Sequence, residues 1–274
     1  MVRASHHGRP GRPRLAALQV LVAGAAVALL VMALPGAGLA AAPDAGMCSG
    51  GKIGSGTWSS FRVTGDCTFT NGATVRINGN LTVAAGAVLN DHAASTAIVN
   101  VGGDVLVGAG AIFGLGTYAT PGTVGPDTVG GSIVADRPLT LYVGGVTVGG
   151  NVISVGGGLA STTAADFRNF PFKDNVVQGN LLIEGWHGGW LGVIRNHIGR
   201  NAMIIGNVSR SNPAGPGVDG DSTEVMGSVL GTQTIGGNLI CLGNTPDAQI
   251  NSVDGGLPSI AGGRAIGECR SLVQ

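Results

Sequence analysis

The amino-acid sequence predicts an all-β protein, a single-stranded parallel β-helix of about seven or more stacked coils. Glycine supplies 51 of 274 residues and charged residues only 11%, so the chain is much richer in glycine and poorer in charge than an ordinary globular protein. Apolar residues still make up 44%, which argues against a disordered chain. The third observation is a short internal repeat, and it sets the architecture.

Each repeat has an apolar β-branched residue, a two-residue spacer that is mostly glycine, a polar marker residue and a short apolar run. The markers are 24, 28, 19, 29, 21 and 37 residues apart, mostly too close for strand–helix–strand units. Strand, tight turn and strand repeated at this spacing is typical of stacked coils, because one coil cannot bury its inward face alone. The markers are Asn80, Asp104, Ser132, Asn151, Asn180, Asn201 and Asn238.

The glycine before each marker is expected to adopt a turn conformation that a Cβ would resist. Two interpretations of the asparagines stay open. Their amides form a ladder along the solenoid, or asparagine merely tolerates left-handed turn geometry. Both assign these residues to structure. A β-sandwich is the alternative fold, because it also accommodates many short strands with glycine turns.

Residues 1–42 have the pattern of a secretory signal peptide. Four arginines and no acidic residue accompany an apolar segment over residues 15–34, and small residues offer a cleavage site near residues 40–42. An uncleaved membrane anchor is the competing interpretation, because about 20 apolar residues can span a bilayer. The expected location is secreted, extracellular or in the cell envelope, with membrane contact only through an uncleaved leader.

Beyond the leader, the sequence predicts an N-terminal segment and cap over residues 43–60, the β-helix over residues 61–242, and a C-terminal cap over residues 243–274. Extra length between repeats is concentrated in three insertions, which are expected to leave the solenoid on the same general side. These insertions lie near residues 114–128, 156–174 and 206–232.

All four cysteines lie after the leader, and an even number in an oxidising compartment favours disulfides. Three connectivities are possible. The cysteines fall near the two ends of the exported chain, so pairing Cys48 with Cys67 and Cys241 with Cys269 would clamp each terminus with a short loop.

With these repeats and this leader, the chain resembles bacterial secreted right-handed β-helix proteins. Its Val-x-Gly-Asn-Val pattern is also similar to the coils of bactofilins, the polymer-forming bacterial scaffolds. The resemblance covers roughly residues 61–242 and implies a solenoid fold. The leader, the cysteines and the long insertions depart from the bactofilin pattern.

Charge limits the partners. Removing residues 1–42 reduces the basic residues from 15 to 11 against 15 acidic ones, a formal charge of −4. A mildly acidic domain has no electrostatic reason to bind nucleic acid. The expected partner is an extracellular or cell-wall polysaccharide or another envelope protein, and no cofactor is predicted.

Side chains suited to ligand binding are densest between Glu184 and His197. Tryptophan rings can stack on sugars, while Glu, His and Arg side chains bind hydroxyl or carboxylate groups. A 21-residue register also predicts an Asp174–Arg195 ion pair between neighbouring coils. The alternative is that the tryptophans cover a coil edge. The candidate ligand-binding residues are Glu184, Trp186, His187, Trp190, Arg195 and His197.

An acidic loop containing Asp219, Asp221 and Glu224 is a weak metal candidate that calcium could use, with a solvated loop as the alternative. The leading functional hypothesis is an exported, non-catalytic β-helix acting as an envelope structural or interaction module. The alternative is a carbohydrate-active protein, whether a binder, a lyase or a hydrolase, that uses the Trp186–His197 region.

Overall fold

A computed structural model describes residues 43–91, 96–116, 122–159, 169–210, 223–251 and 255–274. These residues form a parallel β-helix, which confirms the predicted fold class. Each coil contributes short strands to three long sheets, called A, B and C in the order in which the chain visits them. A short 3-10 helix, Glu268–Ser271, follows the last strand.

Successive coils pair in parallel within each sheet. The strands of sheet A are Gly46–Cys48, Phe61–Val63, Leu81–Val83, Val105–Val107, Ile133–Asp136, Val152–Val155, Leu181–Glu184, Ala202–Ile205, Leu239–Leu242 and Ala265–Gly267. The strands of sheet B are Gly51–Ile53, Asp66–Phe69, Val88–Asn90, Ile112–Gly116, Thr140–Gly144, Phe170–Lys173, Leu191–Ile194, Thr223–Ser228 and Ala248–Gln249. The strands of sheet C are Gly56–Trp58, Thr74–Ile77, Ile98–Val101, Thr128–Val129, Thr147–Val148, Val176–Val177, His197–Ile198, Thr234–Ile235 and Ile260–Ala261.

Two short pairings lie outside these stacks. His187–Gly188 pairs in parallel with Val208–Ser209 at the corner between sheets A and B. Gly256–Leu257 pairs antiparallel to the end of the strand Thr223–Ser228. Both add hydrogen bonds next to sheet B without altering the main stacks.

The coils are numbered 1 to 10 by their sheet A strand. Coils 1 to 9 contain a strand of every sheet, and coil 10 begins with Ala265–Gly267. Residues 46–58 form coil 1 and pair with coil 2 in all three sheets. The solenoid therefore extends beyond the predicted residues 61–242 at both ends.

The core consists of aligned aliphatic side chains. Successive residues of a strand face opposite sides, so the first and third residues of the sheet A strands point inward. Pairing register stacks Leu81, Val105, Ile133, Val152 and Leu181 directly on one another, and all five are fully buried. Each coil thus buries its inward face only by stacking on its neighbours.

The markers form a hydrogen-bonded ladder at the corner between sheets C and A. The Asn80 Oδ1 accepts the backbone N–H of Asp104 at 2.8 Å, and each following marker repeats this contact. The Asn238 Oδ1 completes the ladder by accepting the Arg264 N–H at 2.8 Å. No marker has a positive φ. The ladder interpretation is therefore confirmed, and left-handed turn geometry is wrong.

The glycines before the markers are needed for close stacking. Gly103 and Gly150 do not have φ in the left-handed region, so the expected special turn conformation is wrong for them. A Cβ on Gly103 would lie 2.2 Å from the Asn80 Oδ1, and one on Gly150 would lie 2.4 Å from the Ser132 Oγ. The marker of the preceding coil occupies the space that a side chain would need.

Disulfides clamp both ends of the solenoid, as expected. The Cys48–Cys67 bond joins sheet A of coil 1 to sheet B of coil 2, with Cα atoms 6.4 Å apart. The Cys241–Cys269 bond joins sheet A of coil 9 to the 3-10 helix, with Cα atoms 5.3 Å apart. Each bond therefore ties a terminal coil, which has only one neighbour, to the coil beside it.

The insertions leave the solenoid at two different corners. The segment after Gly116 connects sheet B to sheet C, whereas the segments after Val155 and Ile205 connect sheet A to sheet B. The expectation of a common side is wrong, because a coil has three corners and the repeat motif marks only one. Residues 117–121, 160–168 and 211–222 of these insertions lie outside the described ranges.

The predicted leader, residues 1–42, also lies outside the described ranges. The described residues between 43 and 274 belong to one compact unit. Within the ranges that the structure describes, no helix is long and apolar enough to cross a membrane.

We expect Val105→Asp to destabilise the solenoid severely, because Val105 is fully buried and an unpaired buried charge costs several kcal/mol. The matched control is Leu106→Asp, since Leu106 is the next residue and is 37% exposed on the outside of the same strand. Chemical denaturation followed by circular dichroism measures both. Equal losses of stability would contradict the assigned strand orientation.

Candidate functional site

The six predicted ligand-binding residues are distributed around coil 7 and do not form one surface. Glu184 ends the sheet A strand, and His187 lies at the corner between sheets A and B. Trp190 precedes the sheet B strand, Arg195 follows it, and His197 starts the sheet C strand. Ligand binding by the complete set remains a prediction.

Trp186 is a packing residue. Its side chain is fully buried and meets the Phe170 ring edge-on, with centroids 5.5 Å apart and planes at 75°. The indole Nε1–H donates a long hydrogen bond of 3.5 Å to the Leu139 carbonyl. The indole is therefore not exposed for stacking on a sugar, in line with the alternative that the tryptophans pack against the coil.

Arg195 forms the predicted ion pair with Asp174. Its guanidinium donates to both carboxylate oxygens at 2.7 and 2.8 Å, and the two side chains are only 12% and 3% exposed. Asp174 also accepts the backbone N–H of Gly122 at 2.9 Å. The pair joins coils 6 and 7 to the insertion after Gly116, which is a structural role.

Trp190 lies beside a small cavity outside sheet B. The ring is 6% exposed, and the Lys173 Nζ lies 4.3 Å from its centroid. This geometry is that of a cation–π contact. The cavity measures about 150 Å³ and is also lined by Arg195, Glu224 and Met226. It is smaller than ordinary ligand pockets of roughly 300–1,000 Å³.

The proposed metal loop is only partly visible. Asp219 and Asp221 lie outside the described residues. Glu224 is buried, and its Oε1 accepts the Asn251 Nδ2–H at 3.1 Å. Within the described part of the chain, no three His, Cys, Asp or Glu side chains are grouped to hold a metal.

The outer face of sheet C carries a row of mainly polar side chains in register from coil 2 to coil 9. A cavity of about 450 Å³ lies at coils 2 to 4, and another of about 360 Å³ lies at coils 6 to 9. His197 of the predicted set lines the second cavity. The row comprises Arg76, Asn100, Thr128, Thr147, Val176, His197, Thr234 and Ile260.

Neighbouring members of this row contact one another. The Thr128 hydroxyl donates to the Asn100 Oδ1 at 2.7 Å, and the His197 Nδ1 is 2.6 Å from the Thr234 Oγ1. Beside the row lies a floor of glycine backbone. A Cβ on Gly130 would lie 2.5 Å from the Gly102 carbonyl oxygen, so Gly130 has no room for a side chain. Asn78 and Gln178 occupy the equivalent position in coils 2 and 6, so the floor is mainly, but not entirely, glycine.

Sequence reasoning missed two buried amide ladders. In the first, the Asn196 Oδ1 accepts both the backbone N–H and the Nδ2–H of Asn175 at 3.0 Å. In the second, the Asn244 Oδ1 accepts the corresponding groups of Asn207 at 3.1 and 3.0 Å. A sequence signal existed: Asn175 and Asn196 each stand directly before a sheet C strand.

Asp127 occupies the same position before its sheet C strand, and its Oδ1 accepts the Val99 N–H at 2.7 Å. The residue is 3% exposed. Burial raises the pKa of Asp127 to about 6, against the opposing effect of the Val99 hydrogen bond and with a smaller contribution from the charge of Asp91. A carboxyl group thus stands where coils 6 and 7 have a neutral amide.

No protein-family model, no curated protein and no solved structure matches this chain.

We expect Asp127→Asn to stabilise the protein at neutral pH. A folded-state pKa of about 6, above the ordinary 3.8, means that the folded state retains a proton that the unfolded state releases. Stability therefore falls as pH rises from about 4 to about 6. Asparagine keeps the acceptor without the charge, so the variant should gain about 1–3 kcal/mol at pH 7.5 and nothing below pH 4.

Denaturant unfolding at several pH values measures this difference. Asp136→Asn is the control, since Asp136 is exposed and the substitution removes the same charge. A gain that does not change with pH would contradict the role assigned to burial.

Proposed function

We propose that this protein is an exported β-helix that acts as an interaction module outside the cell or in the cell envelope, and that the outer face of sheet C binds an extended, uncharged polysaccharide. The observation that carries the proposal is the polar row of sheet C beside its glycine floor. Two cavities lie along this one face, whereas the residues predicted from the sequence alone face several directions.

Export is supported by two features. The leader pattern of residues 1–42 is typical of secreted proteins. All four cysteines after it form disulfides, and disulfides persist in oxidising compartments. The location outside the cell or in the cell envelope is therefore proposed together with the binding activity.

The chemistry of the row suits sugars. Hydroxyl, amide and imidazole groups donate and accept hydrogen bonds, and sugar hydroxyls do the same. Coils are about 4.8 Å apart, a distance comparable to the length of one sugar in an extended β-linked chain. Successive coils can therefore contact successive sugars, and the glycine floor allows the flat chain to approach closely.

An uncharged polymer fits better than an acidic one. The exported part has a formal charge of −4 by the composition of the chain, and Arg76 is the only arginine or lysine of the row. The row supplies no carboxyl group, whereas glycosidases need a pair of them. The groups of the row are suited to binding a sugar chain. Cleavage of that chain is the alternative, and the binding assay described below also tests it.

Protein produced with its own leader in a bacterial host should be recovered outside the cytoplasm. Its intact mass should lack about 40 residues, the length of a signal peptide, and four hydrogens for two disulfides. Full-length protein with reactive thiols would contradict the proposed export.

The mature protein should bind to insoluble cellulose or chitin in a sedimentation assay. His197→Ala combined with Thr234→Ala should weaken binding roughly 10-fold, because each lost hydrogen bond contributes about 0.5–1.5 kcal/mol. Both residues lie on the outer face, so the thermal midpoint should change little.

Thr82→Ala is the matched control, since Thr82 lies on the outer face of sheet A and the substitution removes the same hydroxyl. Binding that is absent, or that falls equally in the control, would refute the site on sheet C. New reducing or unsaturated ends in the supernatant would instead identify a carbohydrate-active enzyme.

A further inference from the structure

The outer face of sheet A carries an uninterrupted aliphatic row from coil 4 to coil 10. One residue of each strand points outward, and pairing register aligns all seven. No charged or polar residue interrupts the row, which we name the sheet A stripe. It comprises Leu106, Val134, Ile153, Leu182, Met203, Ile240 and Ile266.

A second outward row widens this apolar surface. Val155, Ile205 and Leu242 are aligned through the register beside the stripe, with Glu184 between the first two. Val155 and Leu242 are 42% and 44% exposed. Contiguous apolar surface of this kind on a secreted domain marks an interaction site.

The other two sheets differ sharply from sheet A. The strand Leu191–Ile194 of sheet B is buried along its whole length, and so is Thr223–Ser228. Sheet C exposes its polar row. Sheet A therefore offers the one long aliphatic outer face of the three stacks that the structure describes.

We infer that the sheet A stripe binds a second copy of this chain, and that two solenoids associate face to face through it. Sheet A strands in these seven coils have at most four residues. Seven coils about 4.8 Å apart and four residues of about 3.3 Å each give an area of roughly 440 Å² per copy. Two copies then bury about 890 Å², the size of a weak, transient interface. Two sheets can pack face to face through apolar side chains, and a second stripe has the same length, spacing and composition.

The charges beside the stripe select one arrangement. Glu184 flanks Leu182, the central residue of the stripe, on one edge, and the Asn180 marker flanks it on the other. If the two-fold axis is parallel to the solenoid axis, each coil faces the same coil of the other copy, and the Glu184 edge of one stripe faces the Asn180 edge of the other. Glu184 then faces an asparagine. In the reversed arrangement the two-fold axis is parallel to the strands, so the coil order is reversed and two Glu184 side chains lie opposite each other, which is unfavourable.

A lipid surface is a different occupant and is an outcome of the test. Charged residues beside the stripe include Asp104, Asp136 and Glu184, and also the basic Arg137 and Arg264. The rim has no excess of positive charge that would favour the anionic surface of a membrane. The inference does not rest on polysaccharide binding, because the sheet A stripe and the sheet C row lie on different sheets.

Sedimentation equilibrium of the oxidised mature protein should show a reversible dimer at concentrations up to about 100 µM, the range of weak interfaces of this size. Leu182→Glu should raise the dimer dissociation constant at least about 100-fold, because two charges would meet in an apolar interface. Its thermal midpoint, measured on dilute monomer, should stay close to that of the unaltered protein.

Val176→Glu is the matched control, because Val176 is an outward aliphatic residue of sheet C and should leave the dimer unchanged. Val134→Cys and Ile240→Cys, tested as separate variants with a short bis-maleimide, should each cross-link to an identical copy.

Three results would overturn the inference. The protein could be monomeric throughout the concentration range, or dimerise equally well with Leu182→Glu. It could instead float with phosphatidylcholine vesicles as a monomer. Cross-linking only between the Val134→Cys variant and the Ile240→Cys variant would refute the proposed arrangement in favour of the reversed one.

Discussion

The distance between coils is the constraint on which the rest of this structure depends. Backbone hydrogen bonds between parallel strands hold neighbouring coils about 4.8 Å apart, and the same spacing acts at every corner. At the corner between sheets C and A, it leaves room for one marker side chain and for no Cβ on Gly103 or Gly150. The high glycine content follows from this close contact more than from turn conformation.

The same spacing lets one polar side chain serve two coils. An asparagine such as Asn180 accepts hydrogen bonds from the next coil, and its own Nδ2 donates to the Asn151 Oδ1 of the preceding one. Stacked amides therefore satisfy buried donors and acceptors with few charges, which fits a chain with only 11% charged residues. Asp127 departs from this pattern, because it places an ionisable group at the position that Asn175 and Asn196 fill with neutral amides in coils 6 and 7.

The inner faces of the three sheets are alike, and the outer faces are not. All three sheets bury aliphatic rows inside, as the solenoid requires. Outside, sheet A is aliphatic from coil 4 onward, much of sheet B is covered, and sheet C is mainly polar beside its glycine floor. Because the inward residues already account for folding, the outward ones are free to serve binding. The proposed polysaccharide binding and the proposed self-association are compatible, because they use the outer faces of different sheets.

The sequence by itself determined the solenoid and the Asp174–Arg195 contact, because the first follows from a local repeat and the second from a spacing of one coil. It left the marker ladder as one of two interpretations and the cysteine pairing as one of three connectivities, and the structure decided both. It did not determine which way side chains face around the coil. Trp186 and His197 are close in sequence, but one is buried beside Phe170 and the other is exposed on sheet C. Tertiary structure alone decided this, since each corner turns the chain and brings together residues one coil apart in place of residues adjacent in sequence.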